Sequence, residues 1–181
     1  MEYFEEIRLR DGRTCTLRNG TQEDGQAELD IFILTHEQTD YLRSYPDEGS
    51  STPEEEGAYL QKQTESAREI EILAVVDGAV VGSAGIEAVG SSSKTCHRAE
   101  FGVGIDRAFW GLGIGRALMD ACIACARKAG YEQLELDVVA NNERAIAMYR
   151  RAGFVEYGSN PRGFKTREGR YQELVYMRLE L

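Results

Sequence analysis

The sequence contains no run of about 18 consecutive apolar residues, the length that a transmembrane helix requires. Residues 1–6 include three glutamates and neither lysine nor arginine, so they lack the basic region that opens a secretory signal. These two absences lead us to expect a cytoplasmic protein without a membrane partner.

Basic residues are fewer than acidic residues in this sequence. The chain has 21 lysines and arginines against 31 aspartates and glutamates, a formal net charge of −10 and a pI of about 4.8. With no basic stripe in the sequence, a nucleic-acid partner is not expected. An acidic surface attracts cationic partners, including amines, although it can also serve solubility alone.

A complete zinc or redox motif is also missing. Cys122 and Cys125 have the Cys-x-x-Cys spacing, but no second Cys/His pair lies near them, and His36 and His97 are distant in sequence. Both cysteines fall on the apolar stripe of a predicted helix, where a free cysteine behaves as a small hydrophobic residue. We therefore expect core packing and no metal site.

What is present indicates one globular domain. The 181 residues, 42% hydrophobic and 29% charged, are enough to bury a core, and no repeat or linker divides residues 1–181. Residue patterns predict a hairpin, two helices, three strands, and then helix, strand, helix, strand, strand. This order predicts an α+β fold whose mixed, mostly antiparallel sheet contains one parallel crossover.

Turn and capping residues predict the connections. Asp11-Gly12 predicts a type I′ hairpin turn, Thr21 and Asp24 a capping pair, and Thr52 and Pro53 a helix start. A polar loop is predicted over residues 40–52 and a basic flexible loop over residues 160–169. A short strand is predicted over residues 154–157. Helical spacing places two apolar sets on single faces: Ala27, Ile31, Phe32 and Leu34 or Thr35 in the first helix, and Ile114, Leu118, Cys122, Cys125 and Ala126 in the third.

The most informative segment, residues 101–119, reads as a strand, a glycine-rich loop and a helix. Gly111, Gly113 and Gly115 fall where the apolar helical stripe begins. Glycine allows close approach of a ligand to the backbone, and a helix N-terminus offers unpaired N–H groups and partial positive charge. Together they predict a phosphate cradle, most naturally for a pyrophosphate. A plain glycine-rich turn is the alternative.

The common nucleotide fingerprints do not fit this loop. A dinucleotide-binding motif needs glycine where Leu118 stands, and a P-loop needs Gly-Lys-Ser/Thr where Arg116 and Ala117 follow Gly115. The cradle therefore suits a phosphate-bearing ligand of another kind.

A second segment, residues 138–154, runs from a strand through Asn142 into a helix that ends at Gly153. Its pattern Asn-x-x-Ala-x-x-x-Tyr-x-x-x-Gly-Phe and the loop Trp-Gly-Leu-Gly-Ile-Gly at residues 110–115 together resemble the GNAT superfamily of N-acetyltransferases. The resemblance covers roughly residues 70 to 160. The matching residues of the later motif are Asn142, Ala145, Tyr149, Gly153 and Phe154. One departure is Trp110, which stands where the family usually has Arg or Gln.

The resemblance implies a single GNAT-like domain with a splayed parallel strand pair, formed by the strands ending at Ile105 and Val139, and about four flanking helices. It also implies direct transfer of an acetyl group from acetyl-CoA to a primary amine in a ternary complex. Backbone N–H groups near residues 101–103 would face the thioester oxygen. The residues expected to bind acetyl-CoA are Phe101, Val103, Ile105, Gly111, Leu112, Gly113, Ile114, Gly115, Arg116, Asn142, Ala145 and Met148.

Two catalytic residues are expected by the same resemblance. Tyr149 corresponds to the general acid that protonates the departing thiolate, unless it only packs or positions the sulfur. Glu100 stands where several family members place a general base, although it could be an ordinary solvated carboxylate. Asn142 can hydrogen-bond the cofactor, cap its helix, or do both.

The identity of the acceptor substrate is the aspect of the function that the sequence determines least. We favour a small-molecule amine; a protein N-terminus or lysine is the runner-up, and an inert CoA-binding sensor is a third option. The residues expected around the acceptor cleft are Asp40, Tyr41, Tyr45, Asp47, Glu48 and those of the loop 161–169. A homodimer is left open.

Overall fold

The computed structural model describes residues 1–48 and 52–181. Within these ranges, eight strands form one sheet, and four α-helices flank it. The elements are β1 (Phe4–Arg8), β2 (Thr14–Asn19), α1 (Gly25–Gln38), α2 (Pro53–Glu65), β3 (Ile70–Val76), β4 (Ala79–Ala88), β5 (Arg98–Ile105), α3 (Ile114–Lys128), β6 (Gln133–Val139), α4 (Glu143–Arg151), β7 (Val155–Lys165) and β8 (Tyr171–Glu180).

The strand order is β1-β2-β3-β4-β5-β6-β8-β7. Within the described ranges, β5 and β6 form the only parallel pair, and their register runs from Arg98 opposite Gln133 to Glu100 opposite Glu135. Both strands continue beyond this point without pairing to each other, β5 as far as Ile105 and β6 as far as Val139. The predicted mixed sheet with a splayed parallel pair is thus confirmed.

One face of the sheet carries the main core. Helix α3 contacts β3, β4 and β5 on this face. The residues of its predicted apolar stripe are all buried: Ile114, Leu118, Cys122, Cys125 and Ala126. All four cysteines of the chain are free, and burial raises the pKa of the Cys122 thiol well above its usual value. The expectation of core packing for Cys122 and Cys125 is confirmed.

Helices α1 and α2 cover the opposite face, where α1 contacts β4 and β5 and α2 contacts β3. The two helices pack closely, since a Cβ at Gly25 would overlap the Pro53 carbonyl oxygen. The predicted inner face of α1 is only partly correct. Ile31 and Thr35 are buried, but Leu34 is exposed, and the acidic Glu28 takes an inner position that hydropathy does not suggest.

The first hairpin forms as expected but with a different turn. Leu9 and Arg13 close a three-residue loop in which Gly12 alone has positive φ, 91°. A type I′ turn needs positive φ at both central residues, so that prediction for Asp11-Gly12 is wrong; a type I turn followed by a left-handed glycine fits the geometry. Thr52 caps α2, as predicted, by accepting from the Glu55 N–H at 3.2 Å.

The predicted flexible loop over residues 160–169 is also wrong in its first half. Strand β7 continues to Lys165 and pairs with β8 along most of its length. Pro161 and Gly163 suggested a loop, but β7 is an edge strand, and a register shift between Asn160 and Phe164 accommodates them. In the predicted loop over residues 40–52, residues 49–51 lie outside the described residues.

Within residues 1–48 and 52–181, no helix combines the length and apolar character needed to cross a bilayer.

Candidate active site

The glycine loop leads directly into α3. Gly111 and Gly113 have φ values of 85° and 108°, a backbone region that favours glycine, and Gly113 is the N-cap of the helix. A Cβ at Gly113 would meet no atom within 4 Å, so the backbone there is open to a ligand. The first N–H groups of α3 therefore face accessible space, as anion binding requires.

A cavity of about 500 Å³ opens over this loop and extends to the C-terminal end of α1. Its lining combines β5, the glycine loop, α4 and the residues just after α1, including Thr39, Tyr41 and Leu42. Ten of the fourteen predicted site residues line it: Val103, Ile105, Gly111, Gly113, Gly115, Arg116, Asn142, Ala145, Met148 and Tyr149.

Four predicted site residues do not line the cavity. Phe101 and Ile114 are buried in the core, and Glu100 points to the α1/α2 face of the sheet, where it contacts Arg43. The Leu112 carbonyl accepts from the Arg10 N–H at 3.2 Å. A contact of Phe101, Leu112 and Ile114 with acetyl-CoA stays a prediction, as does the role of Glu100 as a base.

Arginines that sequence reasoning missed give the cavity a positive lining. Arg10, Arg144 and Arg151 line it together with Arg116. Arg10 also donates from Nη1 to the Gly111 carbonyl at 3.1 Å, which fixes the guanidinium beside the loop. Positive charge concentrated in a cleft raises the local concentration of an anionic ligand, even when the net charge of the whole protein is negative. Nothing in the sequence around Arg10 indicates this role. Arg144 and Arg151 lie at the two ends of α4, the helix that carries the recognised motif.

Trp110 lies at the rim of the same cavity. Its Nε1–H donates to the Ile105 carbonyl at 2.8 Å, which ties the loop to the end of β5. The guanidinium of Arg144 lies 5.4 Å from the indole ring centroid and that of Arg107 lies 5.6 Å away, within cation–π range. The indole thus positions two cations, one of which, Arg144, lines the cavity.

Tyr149 reaches the cavity from α4 and is only 7% exposed. Its ring meets Phe101 edge to face and packs on Phe154 at 5.8 Å between centroids. Burial, and then the nearby Asp137 carboxylate, raise the pKa of the phenol above its usual value. Asn142 begins this helix by accepting from the Ala145 N–H at 3.3 Å. The phenol is therefore held in place and protonated at neutral pH.

An ion-pair bridge spans the two splayed strands on the α1/α2 face of the sheet. The Arg43 guanidinium contacts Glu100 of β5 and lies 3.0 Å from Asp137 of β6. Both hydrogen bonds to carboxylates raise the pKa of Arg43 further. The Arg43 guanidinium therefore lies against the carboxylate of Glu100, the predicted base.

The segment after α1 contacts the β7–β8 turn. The Arg167 guanidinium lies 4.1 Å from the Tyr45 ring centroid and also contacts Asp47, and the Arg167 N–H donates to the Tyr45 hydroxyl at 2.9 Å. A second, polar cavity of about 180 Å³ lies beneath this connection. Its lining residues are Thr39, Asp40, Leu42, Arg43, Ser44, Tyr45, Gly163, Phe164, Lys165, Thr166 and Gln172.

Comparison with known proteins gives consistent matches. The sequence profile of the Acetyltransferase (GNAT) family matches residues 33–154. The acetyltransferase of GNAT family from Streptococcus pneumoniae superposes with a TM-score of 0.88 at 26% identity, covering 92% of this chain and 99% of that one.

Two curated proteins are similar over shorter stretches. L-amino acid N-acetyltransferase AaaT of Escherichia coli K12 is 32% identical over 108 residues, which are 59% of this chain and 65% of AaaT. A mycothiol acetyltransferase of Propionibacterium freudenreichii is 50% identical over 52 residues, 29% of this chain and 17% of that protein. The chain thus spans less than two thirds of the length of these relatives.

Proposed function

The chain belongs to the Acetyltransferase (GNAT) family, and we propose that it transfers the acetyl group of acetyl-CoA to the amine of a small molecule. Transfer occurs by direct attack of the amine on the thioester within a ternary complex. The observation that carries this proposal is the 500 Å³ cavity, which joins the glycine loop, the phenol of Tyr149 and the splayed end of β5.

The residues of the cavity fit acetyl-CoA. The open backbone at Gly111 and Gly113 and the start of α3 suit a pyrophosphate, and Arg10, Arg116 and Arg144 supply positive charge. When bound, acetyl-CoA supplies an activated acetyl thioester. Beyond Glu100, β5 stays paired with β4 but no longer pairs with β6 in the described register, which leaves the backbone groups of residues 101–105 that face β6 available to a ligand in the gap.

Tyr149 is proposed as the acid. Its buried phenol keeps its proton at neutral pH and can donate it to the departing thiolate, a step typically worth about 100- to 10,000-fold in rate. Glu100 remains the base that the family resemblance suggests. The Arg43 guanidinium contacts one oxygen of its carboxylate, Oε1.

A small acceptor is favoured by the dimensions of the second cavity. A volume of about 180 Å³ accommodates a compact polar molecule, and Tyr45, whose hydroxyl accepts from the Arg167 N–H, lines it. Amino acids are the first acceptors to test, because Lys165 lines this cavity and can pair with a carboxylate. The similarity to AaaT points the same way.

The proposal is tested by thiol release from acetyl-CoA with amino acids, polyamines, aminoglycosides and short peptides as acceptors. We expect turnover with a compact amine. Transfer only to peptides would favour a protein acceptor, and binding of acetyl-CoA without transfer to any amine would favour a sensor. We further propose that residues 1–181 act as one domain; the homodimer stays a prediction for sedimentation analysis.

A further inference from the structure

Arg144 differs from the other arginines of the main cavity because its guanidinium has no polar partner. Arg116 pairs with Asp120 at 2.7 Å. Arg10 and Arg151 each donate to a backbone carbonyl. In the part of the chain that the structure describes, the Arg144 side chain forms neither an ion pair nor a hydrogen bond. Its N–H donors are therefore available to a ligand of the cavity, and their planar arrangement matches the oxygens of a phosphate.

Helix stability does not account for the position of this arginine. Arg144 is the second residue of α4, directly after Glu143. The N-terminus of a helix carries partial positive charge, so a cation in the first turn is unfavourable there. The Asn142 side chain already caps the helix by accepting from the Ala145 N–H. The partial charge and the guanidinium instead favour an anion at this end of α4.

The Trp110 indole holds the Arg144 guanidinium beside the glycine loop. The indole is fixed by its hydrogen bond to the Ile105 carbonyl at 2.8 Å, and the guanidinium carbon of Arg144 lies 5.4 Å from the indole ring centroid. The Nη2 atom of Arg144 is 3.6 Å from the position that a Cβ at Gly111 would take. An aromatic face attracts a guanidinium without using its N–H donors. The guanidinium is thus oriented at the loop while its donors stay available.

Two helix N-termini contribute to the same end of the cavity. Gly113 is the N-cap of α3 and Asn142 is the N-cap of α4, and both residues line the cavity together with Arg144. Unpaired backbone N–H groups and partial positive charge at a helix start favour an anion. A pyrophosphate carries its negative charge on oxygens that a guanidinium can bind in pairs. The loop, the two helix starts and Arg144 therefore suit the same chemical group.

We propose that Arg144, held in position by Trp110, binds the pyrophosphate of acetyl-CoA. This inference rests on the proposed function and deepens it by naming a side-chain ligand for the cofactor. The family usually has Arg or Gln at the position of Trp110, on the loop itself. In this chain the positive charge comes from α4, and the residue at position 110 orients it.

Arg107 provides a matched control. Its guanidinium lies 5.6 Å from the same indole ring centroid, but Arg107 is not among the described residues that line the cavity. Arg144→Met and Arg107→Met each remove one positive charge beside Trp110 and keep an unbranched side chain. The two variants therefore differ in whether the lost charge belongs to the cavity.

Calorimetry with CoA and with dephospho-CoA, at one ionic strength, tests the assignment. Both ligands carry the pyrophosphate, and only CoA carries the 3′-phosphate. We expect folded Arg144→Met to bind both ligands more weakly by the same factor, at least about 10-fold, because hydrogen bonds to a charged group are lost. Arg107→Met should change either Kd less than about threefold, because solvent screens a charge outside the cavity.

Two results would overturn the assignment. Equal affinities in Arg144→Met and Arg107→Met would show that the Arg144 guanidinium does not contact the cofactor. A loss confined to CoA would place Arg144 at the 3′-phosphate instead of the pyrophosphate. Neither measurement needs an acceptor, so the outcome is separate from that of the proposed transfer. Binding of CoA that depends on Arg144, without transfer to any amine, would overturn the proposed function and support the assignment of Arg144.

Trp110→Ala tests whether the indole acts through Arg144. We expect this substitution to weaken CoA binding in the wild-type background and to do so by a smaller factor in the Arg144→Met background, since residues that act together are not additive. Circular dichroism checks that each variant is folded. The same factor in both backgrounds would overturn the positioning role of Trp110.

Discussion

Phe101 and Tyr149 meet edge to face, with ring centroids 6.2 Å apart and an interplanar angle of 84°. This geometry is a preferred one for aromatic pairs and joins the start of the splayed region of β5 to the last turn of α4. Phe101 lies one residue beyond the last paired residue of β5. The contact thus sets the phenol of Tyr149 against the gap between β5 and β6, and the proposed acid role depends on it.

Tyr149→Phe removes one oxygen atom and keeps the ring contact with Phe101. We therefore expect the folded variant to bind acetyl-CoA with wild-type affinity and to lose about 100- to 10,000-fold in kcat. Calorimetry measures the first quantity and thiol release the second. Near wild-type turnover with a good acceptor would remove Tyr149 from the mechanism.

Gly113→Ala tests the phosphate cradle, and Gly130→Ala is its matched control. Both glycines have positive φ, 108° and 78°, and in both a Cβ would meet no atom within 4 Å. Each substitution should lower stability by about 1–2 kcal/mol through backbone strain. Only Gly113 lines the cavity, since Gly130 follows the far end of α3.

We expect Gly113→Ala to weaken acetyl-CoA binding at least 10-fold relative to Gly130→Ala, as measured by calorimetry on folded protein; a tenfold change is about 1.4 kcal/mol. Equal affinity in the two variants would place the pyrophosphate elsewhere.

Trp110→Arg introduces the residue that the family usually has at this position. The guanidinium adds positive charge to a cavity already lined by arginines, so we expect acetyl-CoA affinity to be kept or improved. Trp110→Ala serves as the comparison, because it loses the hydrogen bond to Ile105 and the ring beside Arg144 without adding charge. A large loss of affinity in Trp110→Arg would show that the indole itself contacts the cofactor.

Local sequence signals predicted the features that depend on few neighbouring residues. The left-handed glycine at the α3 N-cap, the apolar stripe of α3 and the Asn142 cap of α4 follow from backbone preference, helical periodicity and capping chemistry. The single parallel crossover followed from the order of elements, and the family resemblance implied the splayed strand pair. These are the parts of the site in which sequence neighbours are also spatial neighbours.

Features that depend on tertiary contacts were not predictable in this way. Arg10 lies in a hairpin loop distant in sequence from the Gly111 carbonyl that it binds. The approach of Arg144 to Gly111 depends on how α4 packs beside the glycine loop. In β7, pairing with β8 outweighs the local loop preference of Pro161 and Gly163. In each case, contacts between residues distant in sequence determine the local structure, and the composition of the segment does not reveal them.

The central claim is that the acceptor is a small amine, and competition within one reaction tests it most directly. An equimolar mixture of amino acids, polyamines, aminoglycosides and N-terminal peptides is incubated with acetyl-CoA and the protein, with Tyr149→Phe as the control. Mass spectrometry then gives the initial rate for each acetylated product. We predict that a compact small-molecule amine is acetylated fastest and that its product falls at least 100-fold in the control. Faster acetylation of the peptides than of every small amine would contradict the claim.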